Sequence, residues 1–387
     1  MPFNRYAKMF KWFVRGSGAI IDQALFASTH FVLNILLARW LSPEQYGSFA
    51  IAYSILLLIS NINIAIFLEP MLIFGAGKYA DKLAKYLKFV IFSNFAVNIT
   101  ISLVIIFIIS IKALSGWNSL ATAVFALAIV LPSILLMWLL RKACYLKFRS
   151  DIASLGSLAY MVIILSLLVG LFYIDKVSVI SAFILMGIGG FIVSLIFINH
   201  LKISTNWRLS KESISYYLKD HLEYSKWSLP TWIIRWVPMN IYYIILPLSI
   251  GNINASAELK ASMNLIVPVT HFYMAMSSLI LPVFVRNYNK LVLFKRRVNQ
   301  TALLYMLCST IYFVVIMMFG KSLFNILYDN QYHLSDYFII LIGFLPFLTG
   351  VISVFSTAVR AANQPKLAFW GYFSSASTTL IFGIPSA

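Results

Sequence analysis

The feature that most constrains the fold is a long apolar stretch that recurs along nearly the whole sequence. Stretches of about 20 mostly apolar residues, the length that crosses a bilayer core as a helix, alternate with short polar connections. Backbone that crosses lipid must bond to itself, so each stretch is expected to be helical. We predict an all-α polytopic membrane protein with eleven spans, near 18–38, 48–68, 89–111, 120–140, 153–174, 178–199, 229–250, 258–282, 301–320, 336–358 and 366–385.

Composition excludes an ordinary soluble domain. Hydrophobic residues make up 61% of the 387 residues and charged residues only 11%, with a mean hydropathy of +0.87. Soluble domains carry about a quarter charged residues, and a globule this apolar would expose large sticky patches to water. The formal net charge of +18 is spread over several connections, so we predict no nucleic-acid partner.

The basic residues alternate from one connection to the next. Most of the 30 Lys and Arg lie in the N-terminal tail and in every second connection. By the positive-inside rule these connections face the cytoplasm, which predicts a cytoplasmic N-terminus. The same cations are expected to contact anionic membrane lipids.

An internal repeat predicts two lobes. "KWFVRGSGAIIDQ" at residue 11 and "KWSLPTWIIRWVP" at residue 226 each open a span from the cytoplasmic side. Six-span units repeated in one orientation give two lobes related by a pseudo-twofold axis along the membrane normal. We predict an N-terminal lobe at 1–200, a linker at 201–226 and a C-terminal lobe at 227–387. Eleven spans leave the second lobe one short, so truncation at the C-terminus is expected.

The linker and the first hairpin carry local signals. Apolar residues on one side of the linker predict an interfacial helix, and a solvated linker helix is the alternative. In the hairpin, Ser42 fits an N-cap, Pro43 the first helical position and Gln45 the reciprocal residue of a capping box. Gly47 is expected to let the second helix approach a neighbour closely.

Three stretches carry a family resemblance. They are "LLARWLSPEQYGSFAIAYSILLLISNI", "FRSDIASLGSLAYMVIILS" and "LFNILYDNQYHLSDYFIILIGFLPFLTGVISVFSTAVRAANQPKLAF". They resemble the polysaccharide-transporter or O-antigen flippase family (Wzx-type) of the multidrug/oligosaccharidyl-lipid/polysaccharide (MOP) exporter superfamily. The resemblance extends over nearly the whole chain.

The resemblance implies a MATE-like transporter of the bacterial inner membrane. Its substrate would be an undecaprenyl-diphosphate-linked oligosaccharide, moved by alternating access, with a polysaccharide polymerase and a chain-length regulator as further partners. A cation-coupled multidrug antiporter of the same superfamily is the alternative, and a membrane-embedded polymerase is a weaker one. The sign of the charge in the substrate cavity separates the first two, because a flippase needs a cationic cavity and a drug exporter an anionic one.

Polar groups inside spans are costly and commonly functional, so they supply the candidate site residues. Arg235 and Lys260 are predicted to bind the anionic headgroup. Asp22 is predicted to couple a cation or to pair with Arg235. His30 and His271 are proton-coupling candidates, with a packing role as the alternative.

Asparagines and prolines complete the predicted site. Side chains that could contact sugar hydroxyls, or bond between helices instead, are Asn61, Asn63, Asn94 and Asn98. Prolines that permit kinks within spans are Pro132, Pro238, Pro247 and Pro268. Enzyme, metal and cofactor motifs are not seen in the sequence, so we predict a non-enzyme without a cofactor, driven by an H⁺ or Na⁺ gradient.

Overall fold

The first six predicted spans form helices that run nearly without interruption. The computed structural model describes residues 3–113, 116–202, 211–332, 335–362 and 364–383, and within them it is helical with no strand. The helices of this part are α1 (Phe3–Trp40), α2 (Pro43–Asn63), a π-helical turn (Ile64–Leu68), α3 (Glu69–Ala76), a 3₁₀ turn (Ala80–Lys82), α4 (Leu83–Ala113), α5 (Ser119–Leu146), α6 (Ser150–Tyr173) and α7 (Val179–His200).

The later part of the chain is more interrupted. Its helices are α8 (Lys211–Asn240), α9 (Tyr242–Ile250), α10 (Asn254–Asn264), α11 (Val267–Asn287), α12 (Leu291–Tyr328), α13 (Asp336–Ala361), α14 (Pro365–Thr378) and a final π-helical turn (Thr379–Gly383). The chain divides into two compact units, which we call the first unit (Met1–Leu33 with Ser48–Trp236) and the second unit (Asn34–Gly47 with Val237–Ala387).

The multi-pass architecture is confirmed, with fewer uninterrupted spans than the eleven predicted. The described residues hold eight helices long and apolar enough to cross a membrane, or ten if each of two bent helix pairs is one span. One pair is α8 with α9. The other is α10 with α11, bent by 52° beside Pro268, which cannot donate to the preceding turn. The predicted span at 366–385 is not among them, because α14 is short and rich in Ser and Thr, and residues 384–385 lie outside the described range.

The predicted helix start at Ser42 and Pro43 is confirmed. Helix α2 begins at Pro43, and the Gln45 amide donates to the Ser42 hydroxyl at 3.3 Å, which makes Ser42 its N-cap. Within the second unit, a Cβ added to Gly47 would lie 2.3 Å from the Ile253 carbonyl oxygen. This close approach of two backbones requires glycine at that position.

Helix α5 is the central helix of the first unit. It packs against α4 and α7, and most of its length is buried. Gly190 of α7 brings the two backbones together, since a Cβ there would lie 3.0 Å from the Ser133 carbonyl oxygen of α5. Small residues commonly allow such close packing between membrane helices.

The helix that starts at Pro43 is broken in its C-terminal third by a π-helical turn and Pro70. Pro70 has no N–H, so it cannot donate to the carbonyl of Ile66 or Ala65, four and five residues earlier. Two side chains of α8 contact these carbonyls instead. His221 Nδ1 lies 2.8 Å from the Ile66 oxygen. The Ser225 hydroxyl lies 3.2 Å from the Ala65 oxygen and 2.7 Å from the His221 carbonyl oxygen, and its one hydrogen is shared between them.

Helix α8 includes part of the predicted linker. Residues 203–210 lie outside the described range, but residues 211–226 belong to the same helix as predicted span 7. The apolar residues predicted to line one side of the linker are not all buried: Tyr217 is buried, whereas Ile214, Leu218 and Leu222 are exposed. Its position on the inner leaflet and the lobe boundaries stay predictions.

The second unit has an aromatic core between α11, α12 and α13. Its buried members include Tyr273, Phe284 and Tyr305. The rings of Tyr273 and Tyr305 stack with centroids 4.6 Å apart. The Tyr273 hydroxyl lies 2.6 Å from the Ser309 hydroxyl, so this core is held by neutral polar groups at this point.

Candidate functional site

The first unit holds a buried ion pair. Asp22 of α1 is fully buried, and Arg141 Nη1 of α5 lies 3.3 Å from both of its carboxylate oxygens. The hydroxyls of Tyr145 and Ser157 also donate to Asp22. The predicted pairing of Asp22 with Arg235 is therefore wrong, because α5 places a nearer guanidinium beside the carboxylate.

Arg141 is held from a second side. Its guanidinium carbon lies 3.7 Å above the centre of the Phe26 ring, a distance at which a cation is attracted to an aromatic face. Phe26 lies one turn after Asp22 on α1, so one helix face supplies both the carboxylate and the ring. Arg141 is only 5% exposed. A charge this deep requires its partner, because desolvation would otherwise dominate.

Three of the predicted asparagines come together. Asn63 of α2 and Asn94 and Asn98 of α4 form one cluster, in which Asn63 Oδ1 accepts from Asn94 Nδ2 at 2.6 Å and from Asn98 Nδ2 at 2.9 Å. Asn63 Nδ2 donates to Asn98 Oδ1 at 3.0 Å. The cluster thus bonds helix to helix, the alternative foreseen for these residues, and two of its members also line a cavity.

A cavity of about 190 Å³ lies between α1, α2, the π-helical turn, α4 and α5 of the first unit. Arg141 and Lys142 are the charged side chains of its lining, and among its described lining residues there is no carboxylate. Asp22 is not part of the lining. The polar lining consists of Ser60, Asn63, Asn94, Trp138, Arg141 and Lys142. The charge that faces the cavity is therefore cationic.

Some of these side chains retain unused hydrogen-bonding capacity. Arg141 Nε and Trp138 Nε1 are buried donors, and Asn94 Oδ1 is a buried acceptor, and none of the three has a hydrogen-bond partner among the described residues. Buried polar atoms without partners are rare in proteins. All three atoms belong to residues that line the cavity.

The predicted headgroup residues lie elsewhere. Arg235 of α8 is exposed, with its guanidinium carbon 5.0 Å from the centre of the Trp232 ring, and it does not line the cavity. Lys260 of α10 is half-buried, with Nζ 5.4 Å from the centre of the Tyr243 ring. The role of Arg235 and Lys260 in headgroup binding stays a prediction.

The remaining predicted residues are dispersed. His30 is half-buried in the first unit, where Nδ1 lies 3.4 Å from the Tyr53 hydroxyl. His271 is exposed on α11 of the second unit. Asn61 donates to the Trp232 carbonyl at 3.4 Å, away from the asparagine cluster. Among the residues that the structure describes, no group of three or more His, Cys, Asp or Glu could hold a metal ion.

Sequence reasoning missed Arg141, Lys142, Tyr145 and Trp138. The sequence predicts the two basic residues in a cytoplasmic connection, because they follow an apolar run and fit the alternation of charge. The apolar residues that continue after them, Ala143 and Cys144 among them, were the available signal that the helix does not end there. Helix α5 in fact runs to Leu146.

No protein-family model and no curated protein sequence matches the chain. Solved structures do. A eukaryotic MATE transporter is 18% identical with a TM-score of 0.63, covering 100% of this chain and 88% of that one. The MATE multidrug transporter DinF-BH is 15% identical with a TM-score of 0.61 and coverages of 96% and 86%.

A third structure differs in its described chemistry. It is a MOP superfamily transporter from Pyrococcus furiosus, 15% identical with a TM-score of 0.51 and coverages of 96% and 94%, reported with a reverse polarity of the binding pocket that suggests a different function. Similarity at this level of identity defines the fold. The chain is a multi-pass membrane protein with the all-helical fold of the MATE transporters of the MOP superfamily.

Proposed function

We propose that the protein is a flippase that moves an undecaprenyl-diphosphate-linked oligosaccharide from the inner to the outer leaflet by alternating access. The observation that carries the proposal is the charge of the cavity in the first unit. Its charged lining is Arg141 and Lys142, and a cationic site favours an anionic substrate group. A diphosphate or an acidic sugar supplies such a group.

The local charge balance supports an anion. Asp22 is fully buried and engaged by Arg141, Tyr145 and Ser157, so its charge is already compensated. Lys142 is half-buried at the cavity, and its Nζ lies 5.1 Å from the Tyr145 ring centre. The net charge beside the cavity is therefore positive, which disfavours an organic cation.

The unpaired polar atoms match a glycan. Arg141 Nε and Trp138 Nε1 need an acceptor, and Asn94 Oδ1 needs a donor. A sugar hydroxyl both donates and accepts, so a glycan can offer a partner to either kind of atom. A lipid-linked sugar with a nearby anionic group supplies both the negative charge and the hydroxyl groups.

A cation-coupled multidrug antiporter is the second candidate. Several structures that share this fold are described as multidrug transporters, and a carboxylate in the first span could bind a cation after release from Arg141. The reported reverse pocket polarity in the Pyrococcus furiosus transporter indicates that the fold accommodates pockets of different charge. The cationic lining of the cavity, rather than the fold, therefore favours the flippase over the antiporter.

Under this proposal the protein acts in the bacterial inner membrane with its N-terminus in the cytoplasm. An H⁺ or Na⁺ gradient would drive the cycle, since no energy-coupling motif is visible in the sequence. A polysaccharide polymerase and a chain-length regulator would use its product on the outer side.

Leaflet translocation in reconstituted vesicles tests the proposal. We expect a radiolabelled lipid-linked repeat unit to move to the outer leaflet and a lipophilic dye cation not to be exported. Lys142→Gln should slow lipid translocation roughly ten- to a hundredfold, the worth of a charged hydrogen bond of about 1.5–3 kcal/mol. Lys82→Gln, which changes an exposed lysine of the same unit, is the matched control and should retain the wild-type rate.

One result would contradict the flippase, and another would contradict the site assigned to its anion. Export of the dye with no movement of the lipid-linked sugar would establish the antiporter instead. A Lys142→Gln variant that translocates the lipid at the rate of Lys82→Gln would remove the cavity as the site of the anion.

A further inference from the structure

His221 contacts the broken helix of the first unit through both of its ring nitrogens. Nδ1 lies 2.8 Å from the Ile66 carbonyl oxygen, and Nε2 lies 2.8 Å from the Tyr86 hydroxyl. The same hydroxyl lies 3.1 Å from the Pro70 carbonyl oxygen. His221 is only 2% exposed. Its ring nitrogens therefore bond to these protein groups, rather than to bulk water.

The partners fix the proton positions. A carbonyl oxygen only accepts, so Nδ1 carries a hydrogen and donates to Ile66 in every protonation state. In neutral His221, Nε2 accepts from the Tyr86 hydroxyl. In protonated His221, Nε2–H donates to the Tyr86 oxygen, which frees the hydroxyl hydrogen to donate to Pro70. Proton uptake therefore leaves none of these groups unpaired and adds one hydrogen bond.

We propose that His221 is a proton-binding site, and that proton binding ties the broken helix more tightly to its neighbours: to α8 through the bond of His221 to Ile66, and to α4 through the added bond from Tyr86 to Pro70. The ligand is a proton, and the groups that respond to it are the Tyr86 hydroxyl and the Pro70 carbonyl. The site is separate from the cavity at Arg141, and it does not depend on which substrate the protein carries.

The charged groups near His221 leave it able to gain and lose a proton. Asp220, the neighbour of His221 on α8, is bonded by Lys78 Nζ at 2.7 Å and by the Tyr79 hydroxyl. Lys78 lies outside the spans, and its bond to Asp220 raises the pKa of the ammonium group. The carboxylate is thus neutralised by a partner other than His221.

Other titratable groups near the site are tyrosines and one glutamate. Glu69 of α3 accepts from the hydroxyls of Tyr224 and Ser228. Aromatic rings enclose the imidazole, and the side chains that face it or its immediate partners are Phe67, Phe74, Tyr79, Tyr86, Phe89, Tyr217 and Tyr224. Tyrosines stay protonated at neutral pH, so His221 is the group here that changes charge between about pH 5 and 8.

Carbon-13 NMR of the purified protein labelled at its 5 histidines tests the site directly. The His221 resonance is assigned by its loss in His221→Gln, and we expect it to titrate between about pH 5 and 8. Tyr86→Phe keeps the ring but removes the acceptor for Nε2–H. The midpoint should then fall by about one pH unit, a tenfold weaker binding of the proton.

His200 provides the matched control. It is exposed at the end of α7, and its Nδ1 lies 3.1 Å from the carbonyl of Ile196 in its own helix. Its resonance should be unchanged by Tyr86→Phe. A His221 resonance that does not titrate in this range, or that titrates equally with and without the Tyr86 hydroxyl, would overturn the proposal.

Hydrogen exchange tests the structural consequence. After correction for intrinsic rates, amides of residues 64–76 should exchange about fivefold more slowly below the His221 midpoint than above it, the worth of one additional hydrogen bond. In His221→Gln this dependence on pH should vanish. Exchange that does not change across the midpoint in wild type would refute the tightening, whether or not the protein proves to be a flippase.

Discussion

The two units bury different kinds of polar group. The first unit buries a formal ion pair, Asp22 with Arg141, next to a cavity with a second cation. The second unit buries hydroxyls, with Tyr273 and Tyr305 stacked and each donating to the other's carbonyl at 3.2 Å. Burying a charge costs far more than burying a hydroxyl. The first unit thus depends on compensation of charge, whereas the second depends on shape and on many modest bonds.

The largest effect on stability is expected at Asp22. Asp22→Asn leaves the guanidinium of Arg141 buried without a counter-charge, which should lower the free energy of unfolding by about 3–5 kcal/mol. Thermal unfolding in detergent measures it. The double variant Asp22→Leu with Arg141→Leu should recover most of the loss, since both charges are removed. If the double variant is as unstable as the single one, the first unit does not depend on charge compensation.

A smaller effect is expected from shape in the second unit. Gly47→Ala brings a methyl group within 2.3 Å of the Ile253 carbonyl oxygen, and overpacking of this kind costs about 1–3 kcal/mol. Gly170→Ala is the control, because a Cβ at Gly170 of α6 meets nothing within 4 Å. The control should be neutral or slightly stabilising. Equal melting temperatures for the two variants would show that the close backbone approach is not required.

The smallest effect is expected at Tyr305. Tyr305→Phe keeps the stacked ring but removes a hydroxyl that lies 3.3 Å from Ser277 and donates to the Tyr273 carbonyl. The loss should be about 1 kcal/mol, the net worth of an ordinary hydrogen bond, and thermal unfolding in detergent again measures it. A loss as large as that of Asp22→Asn would erase the contrast between the two units.

Local features could be predicted from the sequence. The helix start at Ser42 and Pro43 depends on neighbouring residues, and the spans depend on windows of apolar side chains, so both are visible in one stretch of chain. The asparagine cluster was anticipated as an alternative, because amides inside spans seek one another. The MATE-like fold followed from the resemblance and is confirmed by the solved structures.

Long-range pairings could not be predicted. Asp22 and Arg141 are 119 positions apart, and the apparent place of Arg141 in a basic connection concealed its burial. His221 was not singled out, because its importance arises from a carbonyl 155 positions earlier that Pro70 leaves without its usual donor. Neither pairing leaves a spacing or a motif in the sequence.

The break at Pro70 has a mechanical consequence. The broken helix does not satisfy all of its own backbone carbonyls, because α8 supplies hydrogen-bond donors to it. In lipid, a carbonyl without a hydrogen bond costs several kcal/mol. If α8 were drawn away from the present partners of His221 and Ser225, two main-chain oxygens would lose their replacement donors. A movement of α8 therefore moves the segment around residue 66 as well. The contact is made to the main-chain oxygens of Ala65 and Ile66, which a side-chain substitution at either position does not remove.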